Sequence, residues 1–246
     1  MPEPGYVVTA DDEERIRILT LRRPDKLNAF TAEGYRALKA GLDGAAADPE
    51  VSVCVLTGEG RAFSAGVDLG EMMRPGGAGE LGADFDPLLA ALATFPKPLI
   101  AAVNGLAVGF GATLLLHCDL VVVDAQAQIR MPFISLGTCA EAASSWLLPQ
   151  RVGMQQASWM VLSASPLTAD EAVATGFALA VAEAGHALDE AVGLGRALAA
   201  HQTAALVANK RLLRHGWADH IDEVWQREKA EMAAIAAELG SIGWKR

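Results

Sequence analysis

Cysteine is scarce. Three residues in 246, Cys54, Cys118 and Cys139, are too few and too scattered for a disulfide framework or a cysteine zinc site. They fit a reducing, intracellular compartment. Aromatic residues make up only 6% of the chain, so the core has to be built from aliphatic side chains. Positive charge is also short: 20 Lys and Arg stand against 30 Asp and Glu, a net charge of −10. No basic run offsets that balance, which argues against a nucleic-acid partner. The five histidines (117, 186, 201, 215 and 220) are dispersed and no His-Glu-x-x-His occurs, so no metal site is expected. A Gly-x-Ser-x-Gly elbow and a Walker lysine loop are both missing. The opening MPEPGYVVTADDEE has neither a positive nor an apolar targeting region, and the closing IGWKR is no retention signal. A cytoplasmic location is therefore the expectation. One uncharged run, Pro98 to Leu116, approaches the length of a membrane span. Asn104 and the glycines at 105, 109 and 111 interrupt it, so a buried strand, a glycine loop and a buried helix account for it better. No membrane partner is expected.

What is present is a 52% hydrophobic, 20% charged chain, the balance of a soluble globular protein with a large core. Tyr6 to Thr9 and Ile16 to Leu21 read as strands joined by an acidic turn at Asp11 to Glu14. Thr31 is placed to cap a helix running to about Ala47, with Tyr35, Leu38 and Leu42 on one face. Val51 to Leu56, Leu99 to Val103, Leu120 to Val123 and Ile129 to Met131 read as further strands. The stretch PGGAGELG (75–82) reads as a mobile loop or linker, and Phe85 to Phe95 as a helix. Thr168 to Glu171 matches a capping box. Helices are expected at Ala187 to Ala200, Thr203 to His215 and Ile221 to Leu239. Strands thus alternate with helices first and helices dominate last, an α/β core with a helical tail.

Two glycine turns, Ser64-Ala65-Gly66 and Gly109-Phe110-Gly111, each follow a hydrophobic strand and precede a helix. Unpaired N–H groups at such turns carry positive partial charge, and two turns brought together form an oxyanion hole. Close-packed strand-to-helix turns explain the same pattern, and spacing alone favours them.

The stretches LRRPDKLNAF (21–30), GRAFSAGVDLGEM (60–72), KPLIAAVNGLAVGFGATLLLHCDLVVV (97–123) and LTADEAVATGF (167–177) resemble the crotonase family of enoyl-CoA hydratases and isomerases. They come in family order. The resemblance implies a crotonase-like ββα spiral core over 1–195 and a C-terminal helical trimerisation region over 196–246. It implies a homotrimer or hexamer, an acyl-CoA substrate, and no cofactor beyond the coenzyme A that the substrate carries. On the matching positions the N–H groups of Ala65 and Phe110 would hold the thioester oxygen. Lys26, Leu27, Ala65, Gly66, Val67 and Asp68 would contact CoA; for Lys26 and Asp68 an ordinary solvated loop charge is the alternative.

The acids discriminate within the family. Resembling hydratases carry two glutamates, and those positions are Thr113 and Phe133 here. Glu141, in GTCAEAASSW (137–146), stands where resembling Δ3,Δ2-enoyl-CoA isomerases carry their single Glu. A double-bond shift needs one base, and an apolar pocket with Phe133, Leu136 and Trp146 as walls would raise its pKa. Thr138-x-x-Glu141 is also a capping-box pattern, which would give Glu141 a structural role instead. The readings left open are a Δ3 to Δ2 isomerase, a hydratase or other enolate chemistry, and a silent acyl-CoA-binding oligomer. Trp217, Trp225 and Trp244 read as packing or subunit-contact anchors.

Overall fold

The structure, a computed structural model, describes residues 6–12 and 14–242. The acidic turn at Asp11 to Glu14 falls partly outside them, as do the opening five residues, Trp244 and the rest of the last four residues. β1 (Val7–Asp12) and β2 (Ile16–Leu21) form an antiparallel hairpin, and α1 (Ala32–Ala47) follows. β3 (Val53–Gly58) and β4 (Ala62–Ser64) precede α2 (Leu69–Met72) and α3 (Gly77–Thr94). β5 (Leu99–Val103) and β6 (Leu106–Val108) lead into α4 (Phe110–Thr113), which tightens into a 3-10 turn at Leu114–His117. β7 (Leu120–Asp124) and β8 (Gln128–Arg130) precede α5 (Ser144–Val152) and α6 (Met154–Ser163). β9 (Leu167–Thr168), α7 (Ala169–Ala174) and β10 (Ala180–Ala182) come next. α8 (Ala187–Ala199), α9 (Thr203–Leu213) and α10 (Trp217–Ile242) complete the described residues.

The strands sort into two sheets. One has the order β1-β2-β3-β5-β7-β10, the other β4-β6-β8-β9. After the β1–β2 hairpin, the pairs β3/β4, β5/β6 and β7/β8 each put one member in each sheet, so the chain advances as a ββα spiral. β3 and β5 are buried along their whole length, as expected of parallel strands covered on both faces. α8 lies against β2, β3, β5 and β7, so the helical layer on the large sheet continues past residue 195.

Local chemistry sets the helix ends. The Thr31 hydroxyl accepts the Gly34 N–H and starts α1, and Thr168 with Glu171 closes a complete capping box on α7. The stretch 75–82 is not a linker: α3 starts at Gly77 and runs through it. Its buried residues Leu81, Phe85, Leu88 and Leu92 recur at helical spacing, and packing of that face against α1 outweighs the low helix propensity of its glycines. Among the described residues no helix is long and apolar enough to cross a membrane, and no group of three or more His, Cys, Asp or Glu is placed to hold a metal ion.

Candidate active site

The two glycine turns meet. A Cβ on Gly66 would stand 2.6 Å from the Val108 carbonyl oxygen and 3.2 Å from the Phe110 nitrogen, and Gly66 has φ +85°. Only glycine allows so close an approach in that left-handed conformation. Gly109, at φ 54° and ψ −124°, turns the chain into α4 in a region that suits glycine alone. The 65–68 turn is fixed on its other side by Phe30, which donates to Gly66 O (2.7 Å) and accepts from Asp68 N (2.8 Å). That bridge leaves the Val67 N–H without an acceptor among the described residues, and the Phe110 N–H, at the start of α4, also has none.

The N–H expected to be free on the first turn is the wrong one. Ala65 donates its N–H to the Leu27 carbonyl at 2.8 Å. Leu27 and Asn28 both take left-handed conformations (φ 52° and 55°), which aim that carbonyl at the turn. The unpaired donor lies two residues on, at Val67.

Val67 lines a cavity of about 150 Å³ with Tyr35, Met72, Leu81, Phe85, Glu141 and Trp225. Among the described residues, Glu141 is the only charged one on that wall. Burial, and then the neighbouring Glu228 carboxylate, push its carboxyl up to about 7. No hydrogen bond ties the Glu141 side chain to another described residue, so the capping-box alternative is not what the structure contains. α5 begins at Ser144, five residues later than that pattern requires, because Ala142 and Ala143 are left-handed (φ 57° and 59°).

Other groups hold the Glu141 loop. His117 Nε2 donates to the Ala142 carbonyl at 2.9 Å. Burial lowers the His117 pKa to about 4, so the ring is neutral. Glu228, on α10, accepts the Ala143 N–H at 2.7 Å and the Ser145 N–H at 2.8 Å. One distant carboxylate thus caps α5, whose own N-cap residue, Ala143, has no side chain able to do so.

The remaining expected site residues are dispersed around this centre. Asp68 accepts Arg23 Nη1 at 2.7 Å and the Glu71 N–H at 3.1 Å, so it caps α2, and the Arg23 hydrogen bond holds its carboxyl below the usual range. Lys26 is exposed at the end of a 3-10 turn beside half-buried Leu27. Thr113 and Phe133, the two positions without hydratase acids, are buried. The expected walls differ from those observed: Leu136 is 54% exposed, Phe133 is absent from the cavity lining, and Trp146 lines the neighbouring cavity and packs on Trp217 and His220. Tyr35 and Phe85 supply the aromatic wall, and Trp225, expected as a packing or subunit anchor, lines the cavity itself. The period that makes Tyr35 and Phe85 core residues gives no sign of a cavity there.

A family model described as enoyl-CoA hydratase/isomerase matches residues 11–238. The chain belongs to this family. It is 41% identical over 202 residues to the 2,3-dehydroadipyl-CoA hydratase of Escherichia coli, covering 82% of this chain and 79% of that one. It is 35% identical over 216 residues to the 1,2-epoxyphenylacetyl-CoA isomerase of the same organism, covering 85% and 82%. A crystal structure of an enoyl-CoA hydratase/isomerase from Pseudoalteromonas atlantica superposes with a TM-score of 0.87 at 31% identity, covering 95% of this chain and 92% of that one. The family and the crotonase-like spiral expected from the motifs are both borne out.

Proposed function

We propose that this family member moves the double bond of a 3-enoyl-CoA to C2, with Glu141 as the proton shuttle and the N–H groups of Val67 and Phe110 at the thioester oxygen. The carrying observation is that Glu141 is the one carboxylate on the cavity that Val67 also lines. The ionised carboxylate takes a proton from C2. The electron pair delocalises as a dienolate, and its charge collects on the thioester oxygen, where fixed donors stabilise it. Protonation at C4 by the same Glu restores the thioester carbonyl and leaves the C2–C3 double bond. No water, electron or metal is consumed, and coenzyme A enters only as part of the substrate. A carboxyl near 7 is well matched to both halves, since it is ionised enough to accept the proton and acidic enough to return it. The resemblance-based roles of Lys26, Leu27, Ala65, Gly66, Val67 and Asp68 as the CoA-contacting edge, a cytoplasmic location, and assembly as a homotrimer or hexamer belong to the same proposal.

A hydratase reading has the names of several relatives behind it. It asks for a second group to activate or protonate alongside Glu141. Two other carboxylates of this region are engaged elsewhere: Glu71 Oε1 accepts the Ala32 N–H at 3.0 Å, and both Glu228 oxygens cap α5. The test is turnover of 3-enoyl-CoA to 2-enoyl-CoA by wild type and Glu141→Gln, beside hydration of a 2-enoyl-CoA. Isomerisation that collapses in the variant, with CoA binding retained, supports the isomerase. Hydration as the faster reaction overturns it, and binding without turnover of either substrate favours the silent acyl-CoA binder.

A further inference from the structure

We infer that Glu228, carried on the C-terminal helix α10, positions Glu141 and sets the pH range in which Glu141 works. The inference rests on the reading of Glu141 as the base. The loop that bears Glu141 needs an external brace. Two consecutive alanines in the left-handed conformation have no intrinsic preference for it, and each costs about 1–2 kcal/mol against right-handed backbone. The brace comes from Glu228, whose two oxygens take the N–H groups of Ala143 and Ser145, two and four residues beyond Glu141. Trp225, one turn earlier on α10, lines the Glu141 cavity and donates its indole N–H to Asp86 of α3 at 2.7 Å. Lys229, next to Glu228, pairs with Asp86 at 2.9 Å. α10 is therefore held against α3 where it reaches the loop.

A neutral side chain can also cap a helix. Asn and Ser are as good as Asp at helix N-termini. A buried carboxylate adds a second negative charge beside a buried base. Glu228 is 5% exposed. Among the described residues, the groups facing Glu141 offer no positive charge to offset it: Tyr35 from α1, Leu81 and Phe85 from α3, Trp225 from α10, and Cys139 on its own loop. On the far side of Glu228, Arg227 and Glu231 line the neighbouring cavity with Cys139 and Trp146. Burial holds both carboxyls above their ordinary values, and the Glu228 charge raises Glu141 further. The charge thus keeps Glu141 protonated to a higher pH than burial alone would, which strengthens it as the base once ionised.

The experiment compares the pH dependence of kcat/KM for 3-enoyl-CoA isomerisation in wild type, Glu228→Gln and Glu228→Asp, with Glu141→Gln as reference. In wild type the activity rises as Glu141 ionises. Glu228→Gln keeps one acceptor and loses the charge, so the rising limb moves to lower pH by on the order of one unit, with a lower plateau. Glu228→Asp keeps the charge on a shorter arm, so its plateau falls while its limb stays near the wild-type position. A lower plateau with an unmoved limb in Glu228→Gln leaves Glu228 a structural cap only and overturns the inference. Should Glu228→Gln not fold, carboxyl ¹³C NMR of the wild-type protein decides: coupled, two-step titrations of Glu141 and Glu228 support the inference, and two independent single-step curves overturn it. Full isomerase activity in Glu141→Gln is a different failure. It removes the base assignment itself and leaves the NMR coupling still readable.

Discussion

Removing the Glu141 carboxylate should stabilise the protein at neutral and alkaline pH. In the folded state the carboxyl sits at about 7, against an ordinary 4.5. A folded-state pKa above the unfolded one favours the protonated native state. The stabilisation is complete below the unfolded value and is lost as pH rises through the folded one. Between pH 4.5 and 7 the unfolded chain has released the proton and the native chain still holds it, so stability falls across that window. That rise in pKa is worth roughly 3 kcal/mol. Glu141→Gln removes the titration while preserving shape. It should match wild type near pH 4.5 and exceed it progressively, by up to about 3 kcal/mol at pH 8, roughly 6–12 °C in Tm for a chain of this size.

The wild-type curve alone does not reveal this. His117 has the opposite dependence: its pKa is lowered from 6.5 to about 4, so its contribution is present above 6.5 and lost as pH falls through 4. Over pH 4.5 to 6.5 the two groups largely cancel. The informative quantity is the difference between wild type and Glu141→Gln in urea unfolding from pH 4.5 to 9, at one protein concentration. A difference that is constant with pH refutes the claim that Glu141 is a buried, upshifted carboxyl. It would also remove the electrostatic part of the case for its catalytic role.

Gly66→Ala forces a Cβ to within 2.6 Å of the Val108 carbonyl in a left-handed turn, so the Val67 and Phe110 donors separate. Steady-state kinetics should show kcat lower by about 100-fold or more, the usual cost of losing an oxyanion donor. The His117 ring, held neutral by burial, should give ring-proton NMR signals that do not move between pH 5.5 and 9; movement there would contradict its lowered pKa. Thr31→Ala removes the side-chain cap on the Gly34 N–H and should cost about 1 kcal/mol in urea unfolding. Leu81→Ala enlarges the cavity that Glu141 lines, so on the proposed reading a chain-length series of 3-enoyl-CoA substrates should show KM falling selectively for the longer members.

The parts of this molecule legible in its sequence are the local ones. Thr31 and the Thr168–Glu171 box mark helix starts because capping is decided within four residues. β3 and β5 show as unbroken apolar runs because both faces are covered. The family motifs locate the two glycine turns and Glu141. Their exact partners were not legible. Which N–H of the 65–68 turn stays free depends on the Leu27 carbonyl, 38 residues earlier. The glycine-rich 75–82 stretch turns helical only because α1 buries its apolar face.

The sharpest case is Glu141 itself. Its sequence context, Thr138-x-x-Glu141 before an apolar helix, is a sound local argument for a capping residue. That argument assumes the helix end must be satisfied by its own flanking residues. Here α5 takes its cap from Glu228, 85 and 83 residues away from the N–H groups it accepts. Once a remote carboxylate fills that role, the local one is released into the cavity with no hydrogen-bond partner among the described residues. The cap and the candidate base are then two halves of one arrangement. A glutamate fit to move protons at neutral pH is left unpaired here because another glutamate, on the last helix, has taken over its structural work.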